Sequence, residues 1–81
     1  MTLEEISIAI CSILENITGK KISVHQSLLK SGIITSITFI ELLVALEDRF
    51  SISIEFDEID RETLDTVASL ALFVSKEMDS E

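Results

Sequence analysis

Cysteine occurs once, at Cys11, and histidine once, at His25. A lone cysteine excludes an internal disulfide and a multi-cysteine metal site. Basic residues are scarce: six Lys and Arg stand against fifteen Asp and Glu, for a formal net charge of −9. That balance argues against direct binding to nucleic acid or to an anionic membrane surface, because both are polyanions. No apolar run approaches the roughly 18 residues of a membrane span. The acidic start, Met1-Thr2-Leu3-Glu4-Glu5, lacks the basic flank of a signal or transit peptide, so a cytoplasmic location is expected; the chain is also expected to be a monomer. What is present is 81 residues, 47% of them hydrophobic. That suffices for one domain, residues 1–81, with a small core, and it is too apolar for a disordered acidic tail.

The charge is unevenly placed. The acids of residues 1–40 (Glu4, Glu5, Glu15) are balanced by Lys20, Lys21 and Lys30, so residues 41–81 carry the whole −9. Such an asymmetry reads either as a partner-facing acidic surface or as a solvated face that keeps the chain soluble.

Proline is absent, and glycine occurs only at Gly19 and Gly32. Helical periodicity fills most of what lies outside that pair. Thr2 and Glu5 fit a capping box, and Ile6, Ala9 or Ile10, Ile13, Leu14 and Ile17 then recur at helical spacing, so a helix is predicted over 3–17 with Gly19 as its stop. Residues 20–31 have weak periodicity and read as a long loop. From Ser36 to Phe50 the chain is rich in helix formers. Phe39, Leu42, Leu43, Leu46 and Phe50 make one apolar stripe, and Ile37, Ile40 and Val44 make a second, rotated from the first. A bundle helix needs one stripe for the core, so the second must meet another helix, a ligand or a partner; part of it, Ile37 or Ile40, is expected to pack beneath the 20–35 loop. Residues 51–55 read as an extended connection. A short helix is predicted at 57–62, begun by Asp57 and Glu58, and a last one at 66–77, capped by Asp65 or Thr66. The expectation is an all-α fold, a small antiparallel four-helix bundle of three longer helices and one short one.

The run Gly32-Ile33-Ile34-Thr35-Ser36-Ile37, opening a helix that continues to Phe50, resembles the acyl carrier protein family, including peptide-synthetase carrier domains and D-alanyl carrier proteins. Members of that family show a Gly-hydrophobic-x-Asp-Ser-hydrophobic motif at the head of an acidic second helix, and their serine bears 4′-phosphopantetheine. The resemblance implies a small helical carrier bundle of acyl-carrier-protein type. It implies that Ser36 takes the arm from a phosphopantetheinyl transferase, and that acyl or aminoacyl loading and transferase enzymes are partners. It also implies that the chain is not itself an enzyme. The residues at 55–64 are closer to the aminoacyl and D-alanyl carriers than to fatty-acid carriers. One position departs from the motif: Thr35 stands where the family has Asp.

Physical chemistry gives these residues meaning without the family. A hydroxyl in the first turn of a helix faces unsatisfied N–H groups and the positive end of the dipole, which favour a phosphate. The plain alternative is that Ser36 or Thr35 merely caps the helix. Ile37, Ile40 and Val44, rimmed by Glu41, Glu47 and Asp48, read as a partner-docking patch in which desolvation gives affinity and charge gives steering; solubilising acids over partly packed apolar residues are the plain alternative. Cys11 reads as a core or boundary residue, and His25 as loop packing. The acids at 55–62 lack calcium-loop spacing. No nucleophile, base and orienting group converge in the pattern, so a small hydrolase or metal protein is disfavoured. An unmodified carrier fold kept as an interaction or regulatory module is the alternative function that Thr35 leaves open.

Overall fold

A computed structural model of the chain describes residues 1–79. It contains α1 (Leu3–Thr18), α2 (Ser36–Phe50), α3 (Arg61–Asp65) and α4 (Val67–Asp79), with a 3-10 turn at Phe56–Glu58. There is no strand among the described residues. The fold is thus the all-α bundle of three long helices and one short one that the periodicity predicts.

Each long helix begins where its cap chemistry tells it to. At α1, Thr2 Oγ1 accepts from the Glu5 N–H at 3.1 Å, and Glu5 Oε1 accepts from the Thr2 N–H at 2.8 Å. The helix stops at Gly19, whose left-handed backbone (φ 70°) lets its N–H reach the Glu15 carbonyl. At α4, Thr66 Oγ1 accepts from the Ser69 N–H at 3.1 Å, so Thr66 rather than Asp65 supplies the cap.

The core collects one stripe from each long helix: Ile6, Ile10 and Leu14 from α1, Leu42, Leu46 and Phe50 from α2, and Val67, Leu70, Ala71 and Val74 from α4. Burying a side chain of this size stabilises a fold by about 1.5–3 kcal/mol. The 20–34 loop adds Ile22, Leu28, Ile33 and Ile34 to the same core.

The loop is held from outside as well. Asp65 Oδ1 accepts from Ser27 Oγ at 2.6 Å and from the Leu29 N–H at 3.2 Å, while the Asp65 carbonyl accepts from the Leu28 N–H at 2.6 Å. The Ser27 hydroxyl, then the Leu29 N–H, then the nearby Lys30 and Arg61 charges hold the Asp65 carboxyl below the usual range. These contacts fix the path by which the chain enters α2.

Two expectations need correction. The predicted 57–62 helix is two pieces, because Asp60 Oδ1 accepts from the Thr63 N–H at 2.8 Å and starts α3 itself, while extended, partly buried Ile59 separates α3 from the 3-10 turn. And neither Ile37 nor Ile40 packs under the loop: they are 72% and 52% exposed. Ile33 and Ile34, which precede the helix, occupy the core there instead.

Candidate functional site

The head of α2 is built by two threonines. Thr35 is the N-cap: its Oγ1 accepts from the Thr38 N–H at 3.3 Å, and Thr38 Oγ1 accepts from the Thr35 N–H at 2.6 Å. Thr38 Oγ1 also donates to the Ile33 carbonyl at 2.9 Å, tying the first turn to the buried end of the loop. Thr38 therefore does what a Glu or Gln does in the usual capping box. This pairing was not legible in the sequence, because threonine at that place does not advertise itself.

With both capping positions filled by threonine, Ser36 has no structural task. It is the first helical residue, it is exposed, and its hydroxyl makes no hydrogen bond among the described residues. The N–H groups of Ser36 and Ile37 are likewise without an acceptor there; the first bond of the α-helical ladder runs from the Phe39 N–H to the Thr35 carbonyl at 2.8 Å. The first turn of α2 contains no acid. The positive end of the dipole is therefore uncompensated by any carboxylate of its own helix. Ser12, Ser23, Ser31, Ser51 and Ser53 are also exposed, but none of them stands at a helix N-terminus.

The outer face of α2 continues from this point. Ile37, Ile40 and Val44 (60% exposed) stand out from the bundle. Ile40, Glu41, Val44, Ala45 and Asp48 form one wall of a groove of about 490 Å3, and Ile17 of α1 forms the other. Ile17, one of the residues recurring at helical spacing in α1, is half-buried near the end of that helix. Glu41 and Asp48 are exposed and have no cationic partner among the described residues. Glu47 behaves differently. It is half-buried, and its Oε2 accepts from the Ile54 N–H at 2.8 Å, which pins the extended segment to α2. Of the seven residues expected at the site, the structure brings Ile40, Glu41, Val44 and Asp48 together, sets Ser36 and Ile37 at the helix head, and turns Glu47 inward.

The other reactive side chains lie elsewhere. Burial first, and then the Glu15 carboxylate, push the Cys11 thiol up, away from a nucleophilic thiolate. His25 is an exposed loop residue. Among the described residues, no three His, Cys, Asp or Glu side chains gather as a metal site requires. No described helix is long and apolar enough to cross a membrane.

Residues 4–74 match the family described as "Phosphopantetheine attachment site". The chain belongs to that family. It is 34% identical over 74 residues to the "D-alanyl carrier protein" of Lactobacillus delbrueckii subsp. bulgaricus, in each of two strains, the match covering 89% of this chain and 92% of the relative. The chain is therefore a carrier protein of the phosphopantetheine class, whose cofactor is a covalent 4′-phosphopantetheine, and a carrier rather than a catalyst. The first turn of α2 fits such a group: it offers a free hydroxyl, two free N–H groups and no competing carboxylate.

Proposed function

We propose that Ser36 is the attachment residue and that the whole chain works as one cytoplasmic carrier domain. In this reading it holds an aminoacyl group and delivers it to partner enzymes. The observation that carries the reading is that the Ser36 hydroxyl has no hydrogen-bond partner among the described residues: Thr35 and Thr38 cap α2 between them and leave Ser36 exposed at the positive end of the helix.

In the modification step a phosphopantetheinyl transferase supplies coenzyme A. Ser36 Oγ would give its proton to a base of the transferase and bond to phosphorus, while the nucleotide half of coenzyme A would leave with the electron pair of the cleaved phosphoanhydride. The N–H groups of Ser36 and Ile37, with the helix dipole, would hold the phosphodiester. When bound, the group supplies a thiol that holds an acyl group as a thioester. Thr35 keeps the capping role of the family's Asp without its charge, so this departure leaves the scaffold intact.

The aminoacyl class rests on the D-alanyl carrier relatives, which align over nearly the whole chain. Loading and transferase enzymes would dock on Ile37, Ile40 and Val44, with Glu41 and Asp48 steering basic partners. Glu47, turned inward, drops out of this surface.

The test is intact-mass spectrometry after incubation with coenzyme A and a phosphopantetheinyl transferase. Wild type should gain one arm, and Ser36→Ala should gain none. Because the Ser36 hydroxyl makes no hydrogen bond among the described residues, the substitution should change stability by no more than about 0.5 kcal/mol. A wild-type chain that never gains the mass would favour the unmodified interaction module instead.

A further inference from the structure

The oxygen of the Thr38 side chain meets four groups at the head of α2. It accepts from the Thr35 N–H at 2.6 Å, donates to the Ile33 carbonyl at 2.9 Å, and stands 3.2 Å from Thr35 Oγ1 and 3.3 Å from the Thr35 carbonyl. A hydroxyl has one hydrogen to give and two lone pairs. The Ile33 carbonyl is the nearest acceptor, so it takes the hydrogen. The lone pairs are left to the N–H and O–H of Thr35, whose own Oγ1 accepts from the Thr38 N–H at 3.3 Å.

Capping alone does not call for this arrangement. At α1 an acid, Glu5, closes the box simply by accepting from the Thr2 N–H. A carboxylate has no hydrogen to offer a carbonyl. Thr38 adds that second tie, and the tie closes residues 33–38 into a ring with Ser36 inside it. The ring is anchored where it starts: Ile33 and Ile34 are buried in the core, and the Ile34 N–H donates to the Leu28 carbonyl at 3.0 Å. Between buried Ile34 and Ser36 stands only Thr35, whose N–H and hydroxyl both end on Thr38.

We propose that Thr38 is a positioning residue for arm addition: by holding the Ile33 carbonyl as well as the Thr35 N–H, it fixes the turn that presents Ser36 Oγ to the transferase. The proposal rests on the attachment reading above and adds a residue that acts through the backbone on either side of Ser36 without touching the reacting atoms. A nucleophile reacts fast only when it is held about 3–3.5 Å from its target and aligned with it, and a misplacement of about 1 Å can cost on the order of 100-fold. With the tie gone, Thr35 is held only through the backbone, and Ser36 Oγ spends less of its time in the reactive orientation. The loss falls on the bound complex, so it belongs to kcat and not to KM. It is also separate from the charge of the helix end, because removing a hydroxyl adds no charge.

The experiment measures arm addition to the full chain by intact mass, with coenzyme A and a phosphopantetheinyl transferase, below the melting range of every variant. Thr38→Val keeps the shape and removes the hydroxyl; its kcat should fall by about tenfold, with KM for the chain within about twofold of wild type. Thr38→Ser restores the hydroxyl and should restore kcat. Thr2→Val removes the equivalent cap of α1, so its melt should fall while kcat stays at the wild-type value. Thr38→Glu secures the helix start, because it closes the box as Glu5 does, yet it has no hydrogen for Ile33. In 1 M salt, where the Debye length is about 3 Å and the added charge is screened, its kcat should still be low, and it decides the matter if Thr38→Val does not fold. Wild-type kcat in Thr38→Val, or in Thr38→Glu at high salt, would overturn the positioning role and leave the attachment reading standing. So would a Thr38→Ser chain as slow as Thr38→Val, or an equal slowing by Thr2→Val. A wild-type chain that never gains the mass, or gains it away from Ser36, would overturn both.

Discussion

Helices α1 and α2 are near twins in construction and opposites in electrostatics. They have 16 and 15 residues, each opens with a threonine capping box, and each buries one apolar stripe. In α1 the third residue of the box is Glu5, with Glu4 beside it, so two carboxylates sit on the positive end of the dipole. In α2 the same place is held by Thr38, and the first turn has no acid. Their outer faces differ as well. The exposed apolar residues of α1, Leu3 and Ile8, are five apart and share no ridge, whereas Ile37, Ile40 and Val44 follow one another at three and four residues. The terminus of α1 is satisfied by its own acids; that of α2, where we propose the phosphate is joined, is left open, with a contiguous apolar surface beside it.

The largest expected effect separates the two faces of α2. Leu46→Ala should destabilise the fold by about 2–5 kcal/mol, because Leu46 is fully buried in the core. Val44→Ala, on the exposed ridge, should cost less than about 1 kcal/mol yet weaken association with a cognate loading enzyme. Thermal melts paired with a binding assay check both. A Val44→Ala melt as damaging as that of Leu46→Ala would mean that the outer stripe belongs to the core.

Grafting the first turn of α1 onto α2 attacks the comparison directly. In the double variant Ile37→Glu with Thr38→Glu, the new glutamate at 38 can close the box on the Thr35 N–H as Glu5 does on Thr2, so the helix should persist. Two carboxylates at the helix mouth should cost an incoming phosphate about 0.6–2 kcal/mol, and arm addition should slow about 3- to 30-fold. The rate of mass gain measures this; an unchanged rate would show that the open terminus has no electrostatic role.

Acid should act on the scaffold through groups outside α2. Glu5, Asp60 and Asp65 each have a carboxyl held below its usual value, by the hydrogen bond from the Thr2 backbone, that from the Thr63 backbone and that from the Ser27 hydroxyl respectively. A lowered folded-state pKa means that the unfolded chain binds more protons, so stability rises with pH through that range. We predict full stability above about pH 4, near the unfolded values, and progressive loss as pH falls through the lowered ones. Asp65→Asn should flatten part of that slope in denaturant midpoints measured across the range. A slope unchanged by Asp65→Asn would remove Asp65 from the account.

The smallest effect is expected from Thr35→Asp. Either side chain can cap, and the carboxylate gains about 0.3–1 kcal/mol from the dipole, so the melt should hardly move. Arm addition should quicken with a broad-specificity transferase that expects Asp-Ser and should not quicken with a dedicated one. Equal rates with both would make Thr35 a neutral cap.

The long helices were legible because their signals are local and repeated: a cap, a three-four stripe, a glycine stop. Thr35 as cap and Ser36 as first helical residue could be read in the same way, as could the division of α2 into an inner and an outer face. What the sequence concealed depends on partners distant along the chain or on unusual chemistry. Glu47 looks like any surface acid until its seven-residue reach to the Ile54 N–H is known. Asp65 looks like a helix cap until Ser27 is brought against it from 38 positions away. Ile17 continues the periodicity of the α1 core stripe, yet the end of α1 lies where the core gives way to the groove. Asp60 and Asp57 are equally good helix starters in the abstract, and the partial burial of Ile59 decides between them.

The central claim is that Ser36, freed from capping by Thr35 and Thr38, is where the arm is joined. The most direct measurement locates the added mass on the chain. After modification with coenzyme A and a transferase, cleavage at Lys30 and Arg49 releases residues 31–49, which contain Ser31, Thr35, Ser36 and Thr38. Fragmentation of that peptide should place one phosphopantetheine on Ser36 and leave the other three hydroxyls bare. The mass on Ser31, Thr35, Thr38 or any residue outside 31–49 would contradict the account.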